Sequence, residues 1–161
     1  VSYGRHSKAP LAVLAIILAI SAAYLSGKAG SGSGTGMTVT SSTTCDGADG
    51  GGQGGLYNFA QLEQLWVNAS GPSDEEQTAA AIGLAESGGC STDLNTTDNG
   101  GTQTSWCLWQ ISNGTHSAPA PNILNPAVCA QQAVAKYQGA GDSFKPWGTY
   151  TSGAYQQFMS G

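Results

Sequence analysis

Charge is scarce in this sequence, and positive charge is scarcest: five Lys and Arg stand against ten Asp and Glu, giving a net charge of -5. Beyond Lys28 only Lys136 and Lys145 are basic apart from His116. A surface that grips phosphates needs clustered Lys and Arg, so nucleic acid is excluded as a partner. No Cys-x-x-Cys pair occurs and His116 is the one histidine near the cysteines, which argues against a zinc site; no metal or cofactor is expected. Internal repeats are missing, and no β-patterned run matches the helical ones in strength.

Long apolar runs are also missing, with one exception. Residues 10–25 read PLAVLAIILAISAAYL, without a charge and preceded by Arg5, His6 and Lys8. Extended through Ala9 and Ser26, the run reaches the lower edge of what spans a bilayer. The basic flank places its N-terminal side in the cytoplasm and sends the rest outward. Residues 1–26 are therefore expected to be a basic flank and transmembrane anchor, the competing reading being a signal segment with Ser21-Ala22-Ala23 as its exit.

From Gly27 to Gly55 the chain is mostly Gly, Ser and Thr, too poor in apolar surface to offset its ordering entropy. It is expected to be a flexible tether spanning roughly 30 Å as a coil. Residues 56–161 are expected to be the folded domain. Cys45, Cys90, Cys107 and Cys129 all follow the apolar run, where an exported chain meets an oxidising compartment. Two disulfides are expected, and the sequence leaves their three pairings open.

The folded part is patterned for helices. Leu56, Phe59, Leu62, Leu65 and Trp66 recur at three and four. Ser73 with Glu76 forms a capping-box pattern ahead of Ala79, Ala80, Ile82 and Leu84, and Gly88-Gly89 stops that helix. Asn125-Pro126 opens a third helix running to Gly139. A short last helix is expected over residues 152–158, and residues 102–111 suit a short strand or hairpin. The fold class is mainly α with a minor β part.

One carboxylate is singled out by its place. Glu86 falls in the last turn of the second helix, where the negative end of the helix dipole and apolar neighbours disfavour its ionisation. A carboxylic acid still protonated near neutral pH can give its proton to a glycosidic oxygen. Further along come Leu108-Trp109-Gln110-Ile111 and Thr149-Tyr150-Thr151-Ser152-Gly153.

With Glu86-Ser87-Gly88-Gly89, these segments resemble the soluble lytic transglycosylase-type domains of the lysozyme-like superfamily, including those of bacteriophage tail proteins. The resemblance implies a small helical lysozyme-like domain that cuts the β-1,4 bond between N-acetylmuramic acid and N-acetylglucosamine in peptidoglycan. It makes Glu86 the catalytic acid and base and gives Ser87, Trp109, Gln110 and Tyr150 to the substrate groove, with Tyr150 hydrogen-bonding near the carboxylate. It also favours pairing Cys107 with Cys129. Two positions depart from the pattern: Cys107 replaces a glycine, and Ser105 stands where related phage domains carry aspartate.

The second departure bears on mechanism, because a two-carboxylate glycosidase needs a partner for Glu86. Asp93 and Asp98 are nearby, in a loop where both read more simply as turn formers. The family's single-carboxylate route ends in a 1,6-anhydro sugar and ranks above hydrolysis. An anchored, tethered cutter on the wall side of a membrane suits a phage tail-tip component that opens the wall for genome delivery. It also suits an accessory of a secretion or conjugation channel. A reading of another class is a structural, membrane-penetrating tail-tip protein with a vestigial wall-binding domain.

Overall fold

A computed structural model describes residues 39–41 and 43–159. The apolar run at 10–25 and the tether up to residue 38 lie outside the described residues. Among the described residues no helix is long and apolar enough to cross a membrane.

The first elements are β1 (Thr43–Gly47) and β2 (Gly52–Leu56), an antiparallel hairpin in register from Thr43 opposite Leu56 to Gly47 opposite Gly52. A 3-10 turn, Ala48–Gly50, joins them. This corrects the expected tether over residues 27–55, whose later part is a strand pair. The Cys45–Cys90 disulfide ties the hairpin down, Ser91 N donates to Gly55 O at 2.9 Å, and Thr92 Oγ1 donates to Gly52 O at 2.7 Å. Its glycines serve close packing: a Cβ on Gly47 or Gly51 would come within 2.1 or 1.7 Å of Thr92 O.

Helix α1 (Phe59–Asn68) starts at an unforeseen cap, Asn58, whose side chain accepts from Gln61 N while Gln61 Oε1 accepts from Asn58 N. Helix α2 (Glu76–Ser87) packs on α1. Its expected Ser73 cap does not form: Glu75 takes the cap position without a side-chain bond, and residues 72–75 close a turn through Glu75 N to Pro72 O at 3.2 Å. Gly88, at φ 62°, ends α2 in the left-handed conformation that glycine adopts without a Cβ penalty.

A second antiparallel pair follows, β3 (Leu94–Thr97) with β4 (Gln103–Trp106), joined by a short helical turn, Asp98–Gly101, that is broken by left-handed Asn99 and Gly100. Helix α3 (Pro126–Gly139) begins as expected, with Asn125 accepting from Ala127 N and Val128 N. Cys107–Cys129 fastens it to the segment after β4. The helix expected over residues 152–158 is a 3-10 helix (Ala154–Phe158), and an unforeseen α4 (Gly148–Thr151) precedes it, the two separated by Gly153 at φ 79°.

The core lies between α1, α2 and α3, where Leu62, Trp66, Ile82, Leu108, Trp109 and Cys129 are fully buried. Tyr137 and Phe144 close on Trp66 with ring centroids 5.5 Å away. This packing fixes the C-terminal end of α2 against the 107–111 segment and α4, and so positions Glu86.

Candidate active site

Ser87 sets the local geometry. Its hydroxyl lies 3.0 Å from Gly83 O and 2.9 Å from Leu108 O, sharing one proton between them, and accepts from Gly89 N at 3.2 Å. Its one proton is thus held by protein groups joining the end of α2 to the 107–110 turn, so the substrate contact expected of Ser87 gives way to a structural role. Trp109 is corrected in the same way. It is fully buried, and its Nε1 donates to Ala79 O at 2.8 Å. Gly83 makes room for it, since a Cβ there would stand 3.2 Å from Trp109 Nε1.

Glu86 reaches the surface at the meeting of two hollows. One, about 420 Å³, is lined by Gln103, Ser112, Lys136, Trp147 and Thr149 among others. The second, about 330 Å³, is lined by Ala48, Asp49, Asp93, Leu94 and Asn95. Glu86, Asp98 and Gln110 line both, so the carboxylate stands at the junction of a single polar groove. Burial pushes the Glu86 carboxyl above the usual carboxylate range, and nearby Asp98 adds to the rise; a hydrogen bond from Thr149 and the charge of Lys136 oppose it.

Thr149 Oγ1 donates to Glu86 Oε1 at 2.5 Å. This is the contact expected of Tyr150, displaced by one residue: Tyr150 instead packs on Phe144 at 5.7 Å and stacks on Tyr155 at 5.1 Å. Lys136 projects from α3 with its Nζ 4.6 Å from the centroid of the Trp147 ring. Burial lowers the Lys136 pKa, and Glu86 and Asp98 counter the shift. Neither Thr149 nor Lys136 was singled out from sequence. For Lys136 a signal existed, since it is one of two lysines in the folded part and follows a buried helical stripe.

Gln110 adopts a left-handed φ of 46° and directs its Nε2 to Cys107 O at 3.0 Å and Asp93 Oδ2 at 3.2 Å. Asp98 opens the β3–β4 turn, as expected, and also lines the groove. Its Oδ2 accepts from Gln103 Nε2 at 3.1 Å and, in a short hydrogen bond, from Ser105 Oγ; Oδ1 accepts from Asn99 N at 2.8 Å. The Ser105 bond is the chief cause of a pKa below the ordinary aspartate range. Burial raises that of Asp93. The groove therefore holds a carboxyl that resists ionisation at Glu86 and one that favours it at Asp98. Among the described residues no group of side chains is arranged to hold a metal ion.

A family model described as a lysozyme-like domain matches residues 63–149, more than half of the chain. The chain belongs to the lysozyme-like domain family. Membership implies peptidoglycan as substrate and a glycosidase or lytic transglycosylase as the class of enzyme. Glu86, Asp98, Gln110, Lys136 and Thr149 all fall inside the matched segment of this lysozyme-like chain, whereas the β1–β2 hairpin lies outside it. No curated protein and no solved structure matches the chain.

Proposed function

We propose that this lysozyme-like chain cleaves the glycan strands of peptidoglycan at the β-1,4 bond between N-acetylmuramic acid and N-acetylglucosamine, with Glu86 as the proton donor. The observation that carries the reading is that Glu86, a carboxyl of raised pKa, lines both hollows of the polar groove. As the bond from the anomeric carbon to the leaving oxygen breaks, Glu86 gives that oxygen its proton. Thr149 orients the carboxyl, and Lys136 steadies the carboxylate left behind. The Gln110 amide, its Nε2 turned to the protein, presents its oxygen to the sugar.

On the single-carboxylate route Glu86 then takes the proton of the sugar's own 6-hydroxyl, and a 1,6-anhydro product leaves. Asp98 favours a second outcome. Ionised and aligned by Ser105, it can take a proton from water as that water attacks the anomeric carbon, leaving a reducing end. Anchored through residues 10–26, the domain would act on the wall side of a membrane, in phage entry or beside a secretion channel.

Mass spectrometry of muropeptides released from purified peptidoglycan tests the reading. Wild type is expected to release products and Glu86→Gln to lose at least a hundredfold in rate. Anhydro ends that persist in Asp98→Asn would assign the transglycosylase route; reducing ends lost in Asp98→Asn would assign hydrolysis. A folded wild type that releases nothing would sink the proposal and leave a structural role.

A further inference from the structure

The hairpin turn Ala48–Gly50 reaches the groove from outside the family segment. Ala48 and Asp49 line its second hollow, which shares Glu86, Asp98 and Gln110 with the first. We propose that the disulfide-tied hairpin is one wall of a distinct strand-binding subsite, which takes uncharged amino-sugar units on the side of the scissile bond away from Lys136. The proposal rests on the glycan-cleaving reading and extends it to an element that the family segment lacks.

Three observations support a built wall. The turn is latched at two residues: Ala48 N donates to Asp93 Oδ1 at 3.2 Å, and Thr96 donates to Asp49 Oδ2 through N at 2.9 Å and through Oγ1 at 3.0 Å. Cys45–Cys90 fixes the middle of β1 to a residue just past α2, whose end carries Glu86. The glycines at 47, 51 and 54 seat the hairpin on Thr92 at distances that no Cβ tolerates.

The lining explains the ligand class. Asp49, Asp93 and Asp98 offer acceptor oxygens to hydroxyl and amide N–H donors, whereas Lys136 lines only the other hollow. Sugars carry donors in abundance, and carboxylates are repelled. Strand cleavage also uses grip on both sides of the broken bond, because binding energy gained away from the reacting atoms helps position them.

The test uses the full chain in a Glu86→Gln background, titrated calorimetrically with N-acetylglucosamine oligomers from dimer to hexamer. Affinity is expected to rise with length, and Asp49→Ala or Gly51→Val to reduce the hexamer-to-dimer affinity ratio by about tenfold. Asp49→Ala removes acceptor oxygens; Gly51→Val drives the turn off Thr92. An unchanged ratio in either variant, with an unchanged circular dichroism spectrum, would overturn the proposal. So would an equal loss at every length, which marks general destabilisation. If the Glu86→Gln chain itself binds no oligomer and wild type releases no muropeptide, the glycan reading fails first.

Discussion

Glu86 is held between opposing influences, and the balance sets when the site works. Burial raises its pKa and Thr149 lowers it, so activity should fall as pH climbs through that raised value and the donor loses its proton. Replacing Thr149 by Val removes the bond that favours the ionised form, and the alkaline limb of the pH–rate profile should move upward. A downward move would contradict the assigned cause. Stability carries the same sign. A carboxyl that binds its proton more tightly when folded costs stability once pH exceeds its ordinary value. Glu86→Gln should therefore melt a few degrees higher than wild type at pH 7, the gap closing below the usual carboxylate range, as calorimetry can show.

The hairpin and the helices differ in how far their residues announce them. Asn125-Pro126 and Gly88 are local signals whose mechanism needs nothing remote, and α3 and the end of α2 form where those residues stand. The β1–β2 pair depends on a partner more than thirty residues away: its glycines give no alternation of side chains, and the approach of Gly47, Gly51 and Gly54 to Thr92 explains three of them. Glycine scarcity of side chain reads as looseness in sequence and as tight fit in the structure. The site divides the same way. The place of Glu86 at a helix end was legible and Asp98 was in view as a possible second carboxylate, whereas Ser87 and Trp109 are taken up by the core and the bond from Thr149 arises only from folding. Of the two disulfides, Cys107–Cys129 is fully buried and Cys45 is half-exposed. Mild reductant should open Cys45–Cys90 first, which alkylation and peptide mass spectrometry would detect; the reverse order would mean that the hairpin shields its bond better than Cys107–Cys129 is shielded by the core.

At the scale of the whole molecule, a net charge of -5 opposes approach to a wall carrying anionic polymers. Added salt screens that repulsion over a Debye length of about 8 Å at 0.15 M. Cleavage of intact anionic walls should therefore speed up from low to physiological ionic strength, while cleavage of uncharged oligosaccharides stays flat; a fall on both would point to attraction instead. Cys45–Cys90 carries a mechanical consequence as well. Tension that enters from the N-terminal side and reaches Cys45 crosses directly to Cys90 through the sulfur bridge. Residues 46–89, with all of α1 and α2, form a covalent side loop that the bridge bypasses. Pulled from that side, the chain would carry force past α1 and α2 through the bridge rather than along their backbone.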